Sequence, residues 1–119
     1  MSFLSKEQIL AANDTTFETV EVPEWGGSVK VKSMTGIERD KFEESVFEQK
    51  GKDTKMNLKN FRAKLCALTM VDEAGNRLFG EDEIPALGKK SAKALDRVFT
   101  IAQSLNGIGQ KEVEELTKN

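Results

Sequence analysis

The chain has 119 residues, of which 38% are hydrophobic and 32% are charged, and its formal net charge at pH 7 is −2. A disordered chain would be less hydrophobic, and a chain of this length buries roughly two-thirds of its surface on folding, so we expect residues 1–119 to form a single domain. Basic and acidic residues are mixed along the chain. Such a pattern creates no field that attracts phosphates, which disfavours nucleic-acid binding.

The cysteine content and the hydropathy indicate the cellular compartment. Cys66 is the only cysteine, so it cannot form a disulfide within the chain, and no apolar run is long enough for a signal peptide or a membrane span. We therefore expect a protein of a reducing cytoplasm that binds no membrane. Because the chain has no histidine that could activate a thiol, Cys66 is expected to be buried and inert.

The N-terminal third predicts a short helix and then a β-hairpin. Ser5 and Gln8 have the spacing of a capping box, which starts a helix. Residues 17–22 and 28–33 alternate apolar and polar side chains, as paired strands do. The face expected to be buried carries Val20, Val22, Val29 and Val31, and the face expected in water carries Glu21, Lys30 and Lys32.

The turn between these strands, "PEWGG", places the only tryptophan, Trp25, at the hairpin tip. Pro23 ends strand pairing, and the glycines allow the positive φ that reverses the chain. Two interpretations of Trp25 stay open. The indole either folds back as a lid on the core, as most indoles are largely buried, or stands exposed as a contact for a partner.

Three main helices are predicted after the hairpin. The first begins at a capping box, Thr35–Glu38, and runs to about Lys50, where a polar linker over residues 51–55 follows it. The second is capped by Asn57 and runs through Val71. The remaining predicted elements are a tight turn at 72–77 that returns Leu78 and Phe79 to the interior, a short acidic helix at 81–87, the longest helix from Ser91 to Gly107, and a weak terminal helix at 110–119.

Apolar residues at three- and four-residue steps predict which helix faces enter the core. The expected core positions are Ile37, Phe42, Val46 and Phe47 in the first main helix, Leu58, Phe61, Leu65 and Leu68 in the second, and Leu95, Val98, Ala102 and Leu105 in the third. The predicted fold class is thus α+β, mainly α, with one N-terminal β-hairpin followed by three main helices and short helices at both ends.

No residue pattern indicates catalysis, a cofactor or a metal. The chain contains neither histidine nor tyrosine, so general acid–base chemistry would depend on carboxylates or lysines. The acidic runs at 72–73 and 81–83 lack the alternating spacing of a calcium loop, and no glycine-rich segment has the order of a phosphate-binding loop. We expect a protein that is not an enzyme and binds no cofactor.

The order of the sequence segments carries a family resemblance. A short N-terminal helix precedes "VEVPEWGGSVKVKSMTGIERDKFE", and "RAKLCALTMVDEAGNRLF" and "LGKKSAKALDRVFTIAQSLNGIG" follow it. In this order, over about residues 5–116, they resemble the tail assembly chaperones of long-tailed, siphovirus-type bacteriophages or prophages. The most specific segments are the "PEWGG" hairpin with its sequel, "VDEAGNRLF" and "SLNGIG".

The resemblance implies a non-catalytic chaperone of the host bacterial cytoplasm. Such a protein binds the long, helix-rich tape measure protein, keeps it soluble, helps recruit tail tube subunits, and is absent from the mature virion. The family commonly also makes a longer product by programmed −1 frameshifting, and Lys118-Asn119 is compatible with an A-rich slippery site. A frameshifted longer form of this chain is therefore a further expected partner.

The family has no catalytic motif to transfer, so the binding residues are a hypothesis from the sequence. We expect Trp25 at the hairpin tip, and apolar residues of the last helix that the core does not use, such as Phe99, to contact the partner. The apolar stripes on two helices leave self-association open. Two other functions stay open as well: a structural tail or connector subunit retained in the virion, and a small regulatory module that binds other proteins.

Overall fold

The computed structural model describes residues 2–50, 53–56 and 60–108. Its helices are α1 (Lys6–Ala11), α2 (Gly36–Val46), α3 (Phe61–Thr69), α4 (Ile84–Leu87) and α5 (Ala92–Leu105). Its strands are β1 (Phe17–Val22), β2 (Gly27–Lys32), β3 (Phe47–Lys50), β4 (Asp53–Met56) and β5 (Met70–Val71), and 3₁₀ turns cover Pro23–Trp25 and Glu81–Glu83. These elements confirm the predicted α+β, mainly α class with an N-terminal hairpin.

The first helix begins at the predicted capping box. The Ser5 hydroxyl accepts a hydrogen bond from the Gln8 backbone N–H at 3.1 Å, and the Gln8 side-chain oxygen accepts one from the Ser5 N–H at 2.8 Å. These bonds satisfy backbone donors that the first turn of a helix leaves unpaired. None of the residues of α1 is buried, so local bonds rather than core packing define this helix.

The predicted hairpin is confirmed. Strands β1 and β2 pair antiparallel, with a register that runs from Phe17 opposite Lys32 to Val22 opposite Gly27. The buried valines are Val20, Val22 and Val31, while Val29 is partly buried against the core. The expectation that Lys32 faces water is wrong, because its ammonium lies 2.5 Å from the Glu38 carboxylate and both side chains are largely buried.

A third strand, β5, extends this sheet to the order β1-β2-β5. Val71 lies opposite Lys30, and Met70 opposite Val31. The sequence pattern places both residues at the end of a helix, because their apolar side chains continue its stripe. The helix instead ends at Thr69, whose hydroxyl donates to the Leu65 carbonyl at 2.8 Å, and the chain becomes extended.

The first main helix begins as predicted and ends earlier. The Thr35 hydroxyl caps α2, but the helix ends at Val46 rather than Lys50. In place of a linker, β3 and β4 pair antiparallel from Phe47 opposite Met56 to Lys50 opposite Asp53. Of the expected core positions, Phe42 and Val46 are buried, whereas Ile37 and Phe47 are exposed, so their assignment to the core is wrong.

The second main helix, α3, carries its predicted stripe into the core. Phe61, Leu65 and Leu68 are buried. The described helix begins after Asn60, which has a φ of 57°, and its predicted cap and first apolar residue, at positions 57 and 58, lie outside the described residues.

The predicted turn after β5 is confirmed. The Asp72 carboxylate accepts hydrogen bonds from the backbone N–H groups of Ala74 at 2.9 Å and Asn76 at 3.0 Å, and Gly75 adopts a φ of 91°. Phe79 returns to the core as predicted, but Leu78 is exposed, which corrects its assignment to the interior.

The last helix, α5, confirms both of its predicted ends. The Ser91 hydroxyl accepts a hydrogen bond from the Ala94 N–H at 3.3 Å. At the other end Gly107 has a φ of 68° and donates to the Ser104 carbonyl at 3.2 Å, a conformation that favours glycine and ends a helix. The predicted weak helix at 110–119 lies outside the described residues.

The core lies where the inner face of the hairpin meets α3 and α5. Its aromatic centre is a row of rings, with 5.5 Å between the centroids of Phe42 and Phe61 and 5.6 Å between those of Phe61 and Phe99. Cys66 is fully buried, as predicted, and burial raises the pKa of its thiol to about 12. Within the described residues, no helix is both long enough and apolar enough to cross a membrane.

Candidate partner-binding surfaces

The hairpin tip is held against α5 by an ion pair. Gly26, with a φ of 74°, closes the 3₁₀ turn by donating to the Pro23 carbonyl at 3.0 Å. This turn presents Glu24 to Arg97: Nε lies 2.8 Å from Oε1, and Nη2 lies 3.1 Å from Oε2. The bond from Arg97 lowers the pKa of the Glu24 carboxyl, and the same bond raises the pKa of the guanidinium. The tip therefore has a defined position on the domain.

The environment of Trp25 has features of both interpretations that the sequence left open. Its ring is partly buried against the core, and it also lines an open groove of about 630 Å³. The other apolar walls of this groove, which we call the tryptophan groove, include Val29, Met70, Phe79 and Leu87. The indole Nε1 is buried and has no hydrogen-bond acceptor among the described residues. Trp25 thus seals part of the core while one side of its ring borders an accessible apolar groove.

Phe99 occupies a different environment from the one expected. Its ring is 8% exposed and packs on Phe61 in the aromatic row of the core. The premise that the core does not use Phe99 is therefore wrong. A role in partner contact stays a prediction for this residue, and the small exposed part of the ring limits the area that it could contribute.

Among the described residues, the largest exposure of apolar side chains occurs at the N-terminus, where the sequence pattern predicts only a short helix. We call Phe3, Leu4, Ile9 and Leu10 the N-terminal apolar surface; their side chains are 96%, 70%, 56% and 75% exposed, respectively. Because α1 buries none of its residues, the capping box holds this helix in shape without hiding its apolar side chains. The signal in the sequence is the apolar run from Ile9 to Ala12, which lies close to Phe3 and Leu4 in the chain.

A groove of about 550 Å³ continues from this surface onto the domain. It runs from Ile9 and Leu10 of α1 to Met34, between β2 and α2, and to Leu105 at the end of α5. The N-terminal apolar surface and this groove form one area that can receive a partner. Apolar surface of this kind on a soluble chain commonly marks a protein interaction site.

The floor of that groove is fixed by Asn106. Its side-chain oxygen accepts from the Met34 N–H at 2.5 Å, its side-chain nitrogen donates to the Ala102 carbonyl at 2.8 Å, and its backbone carbonyl accepts from the Arg39 guanidinium at 3.0 Å. These bonds join the segments "SMTGIERDKFE" and "SLNGIG", which are distant in sequence. The sequence interpretation did not single out Asn106, although an asparagine beside a helix-ending glycine is a signal for such a cap.

The acidic clusters show structural roles. The Asp72 carboxylate binds the backbone of its own turn, and the Glu83 carboxylate accepts from the Gly80 N–H at 3.0 Å. In the described ranges, no group of acidic, cysteine or histidine side chains is arranged to hold a metal ion.

Comparisons with known proteins agree with these features. A family model described as phage tail assembly chaperone matches residues 5–119. Among solved structures, the tail assembly chaperone of bacteriophage HK97 is similar with a TM-score of 0.59, over 83% of this chain and 90% of that chain, at 20% sequence identity. At that identity the likeness shows the fold alone. No curated protein sequence matches the chain significantly.

The family match covers nearly the whole chain and confirms the resemblance that the sequence segments indicated. It also fits a role in tail assembly rather than in catalysis. The chain belongs to the phage tail assembly chaperone family.

Proposed function

We propose that this chaperone binds the tape measure protein through the N-terminal apolar surface, keeps it soluble, and helps recruit tail tube subunits. The observation that supports this most directly is the exposure of Phe3, Leu4, Ile9 and Leu10 beside a groove that continues onto the domain. A folded protein gains nothing for its own stability from apolar side chains left in water, whereas a partner that covers them stabilises the complex.

The size of the surface suits a helical partner. Fully covering an exposed apolar side chain contributes about 1.5–3 kcal/mol, so a surface of several such residues can hold a partner transiently even after the cost of association. An amphipathic helix fits its apolar stripe into a groove of this kind. The tape measure protein, which the family resemblance implies as a helix-rich partner, would present such stripes until the tail tube covers them.

The site of action follows from the same proposal. A chaperone that covers apolar stripes only until tube subunits replace it acts in the host bacterial cytoplasm and leaves before the virion is complete. It needs binding surfaces but no catalytic residue.

A frameshifted longer form of the chain would share this domain. The coding DNA tests this part of the proposal. A codon other than AAA for Lys118, or the lack of an open −1 reading frame beyond it, would show that no such form is made.

Co-expression with the tape measure protein of the same phage tests the binding surface. We expect the chaperone to raise the soluble fraction of the tape measure protein and to copurify with it, and Ile9→Asp with Leu10→Asp to abolish both effects while circular dichroism stays unchanged. Phe47→Asp is the matched control, because Phe47 is also exposed but lines neither the groove beside this surface nor the tryptophan groove. Equal losses in both variants would show that the surface is wrongly assigned.

Mass spectrometry of purified virions distinguishes the chaperone proposal from the two alternative functions. Copurification with the tape measure protein during assembly, together with absence from finished particles, supports the chaperone proposal. Many copies in the particle would instead identify a structural tail or connector subunit. If the chain neither copurifies with the tape measure protein nor occurs in the particle, a regulatory module that binds other proteins would be favoured.

A further inference from the structure

Strand β1 has one edge that no described residue pairs. The sheet order is β1-β2-β5, so β2 covers one side of β1 and the other side is an edge of the sheet. Which backbone groups face that edge follows from the register. Ser33 donates to the Thr16 carbonyl at 2.9 Å, and the hydrogen-bonded pairs of an antiparallel ladder alternate, so Glu18, Val20 and Val22 direct their N–H and C=O groups toward β2.

The remaining residues of the strand, Phe17, Thr19 and Glu21, therefore direct their N–H and C=O groups outward. The other side of β2 agrees with this alternation. Val71 pairs with Lys30, which is one of the residues of β2 that face away from β1. Among the described residues, no backbone or side-chain hydrogen bond reaches the outward groups of Phe17, Thr19 or Glu21.

This edge lacks most of the features that prevent strand addition. Folded proteins protect their edges with charged side chains, lysine above all, and with prolines, bulges or very short strands; of these, β1 carries only two glutamates, Glu18 and Glu21. Strand β1 has six residues, reads "FETVEV", and pairs with β2 without a bulge until Pro23 ends it. Six paired residues are a typical length for a strand in a sheet. The edge is thus regular and long enough to pair with a further strand.

The charge of the edge indicates the chemistry of the partner. Glu18 and Glu21 are exposed, and neither forms an ion pair with a described residue. A second copy of β1 would bring its own Glu18 and Glu21 to the same short ladder, which disfavours self-pairing because like charges on neighbouring strands repel. A basic strand would place lysine or arginine near these carboxylates. The strand that already pairs with β1 is also basic and reads "GSVKVK", although its lysines contact other groups: Lys30 lies over the Phe17 ring and Lys32 pairs with Glu38.

We infer that the outer edge of β1 is a second binding site, which accepts a basic β-strand from another protein by strand addition. Main-chain hydrogen bonds to Phe17, Thr19 and Glu21 would hold the added strand, and the glutamates would select its charge. This inference does not depend on the proposed function of the N-terminal apolar surface, because it rests on the sheet register and on the exposed edge of β1.

Amide hydrogen exchange of the full chain, measured by NMR, tests the site with a defined probe. The probe is the peptide acetyl-Thr-Val-Lys-Val-Lys-Thr-amide, which repeats the alternation of β2, and the control peptide carries glutamate in place of lysine. In the free protein we expect slow exchange at Glu18, Val20 and Val22 and fast exchange at the outward amides. The basic peptide should slow the outward amides at least about tenfold, which corresponds to roughly nine-tenths occupancy, and the acidic peptide should not.

Several outcomes would overturn the inference. Unchanged exchange of the outward amides at millimolar basic peptide would show that the edge does not accept a strand. Equal protection by the acidic peptide would show that the glutamates do not select a basic strand. Protection that grows with protein concentration without any peptide would show that a second copy, not a basic partner, pairs with this edge.

Substitutions at the edge separate the site from the fold. Thr19→Pro removes an outward N–H and leaves the ladder with β2 intact, so we expect the peptide effect to fall at least about tenfold. Thr19→Ala loses the same side chain but keeps the N–H, and should bind the peptide as the parent does. If Thr19→Pro does not fold, Glu18→Gln with Glu21→Gln keeps the backbone intact and should weaken the basic peptide at low salt; unchanged binding there would contradict the charge selection.

Discussion

Glu24 and Arg97 connect the tip of the β-hairpin to α5 through two nearly parallel hydrogen bonds, of 2.8 and 3.1 Å, although the residues are far apart in sequence. The bidentate geometry is specific, because the planar guanidinium matches both carboxylate oxygens. Trp25 follows Glu24 directly, so this ion pair sets the position of the indole in the tryptophan groove.

Acidification is expected to release the hairpin tip. The hydrogen bond from Arg97 lowers the pKa of Glu24 below its usual 4.5 in the folded protein. The pair therefore stabilises the folded tip above about pH 4.5, and this contribution is lost as the pH falls below 4.5 through the lowered pKa. Trp25 is the only tryptophan, so its fluorescence reports the tip, and we expect its emission to shift to the red over that interval.

Arg97→Ala is the variant that tests this assignment. Without the guanidinium, the emission should already be shifted near neutral pH and should no longer change with the titration of Glu24. Arg62→Ala is the matched control, since it removes the exposed ion pair of Arg62 with Asp96 and leaves the tip untouched. A titration curve of Arg97→Ala that coincides with that of the parent would show that the ion pair does not position Trp25.

Trp25 itself is expected to matter for both stability and binding. Trp25→Ala removes a partly buried ring and should lower the free energy of unfolding by roughly 2–3 kcal/mol, less than a fully buried ring would. Trp25→Phe keeps an aromatic ring and removes the buried N–H, which has no acceptor in the described part of the chain, so the change in unfolding free energy should stay within about 1 kcal/mol. Urea unfolding and copurification with the tape measure protein check both variants.

The two variants also decide what the tryptophan groove does. Loss of copurification in Trp25→Ala at a temperature where this variant is folded, with full binding by Trp25→Phe, would support a contact at the groove. If Trp25→Ala retains both its stability and tape measure binding, the hairpin tip has no part in partner recognition.

Core truncation is expected to separate the correct core predictions from the wrong ones. Leu65 is fully buried, so Leu65→Ala should lower the free energy of unfolding by roughly 2–5 kcal/mol through lost contacts and a cavity. Ile37 is 72% exposed, so Ile37→Ala should change the free energy of unfolding by no more than about 0.5 kcal/mol. Urea unfolding measures both, and equal effects would contradict the described packing.

The features predicted correctly are those with local signals. Capping boxes depend on residues within one helical turn, and the hairpin depends on alternation within adjacent strands, so Ser5, Thr35 and the "PEWGG" turn could be interpreted without the rest of the chain. The features that were missed depend on distant partners. Met70 and Val71 become a strand because β2 offers them an open edge, and no local pattern distinguishes two extended residues from a helix end.

The binding surfaces were harder to predict than the fold for a related reason. A row of apolar residues indicates burial, but whether the burial occurs in the core or in a complex depends on the tertiary structure. The sequence pattern leaves Phe99 available for a partner, but its ring lies in the core, whereas Ile9 and Leu10 belong to a short helix that buries none of its residues. Exposure of apolar side chains is a property of the assembled domain, so the sequence alone could not assign it.

Asn106 should contribute strongly to the stability of the junction between the Met34 segment and the end of α5, beneath the groove. Asn106→Ala leaves the Met34 N–H and the Ala102 carbonyl without their side-chain partner, so we expect a loss of about 1–3 kcal/mol in the free energy of unfolding. Asn106→Asp keeps an acceptor for Met34 and should lose less. Asn76→Ala is the control, because Asn76 contributes backbone groups to its turn. Urea unfolding of the three variants checks the order, and an Asn106→Ala variant as stable as Asn76→Ala would show that the cap does not hold the junction together.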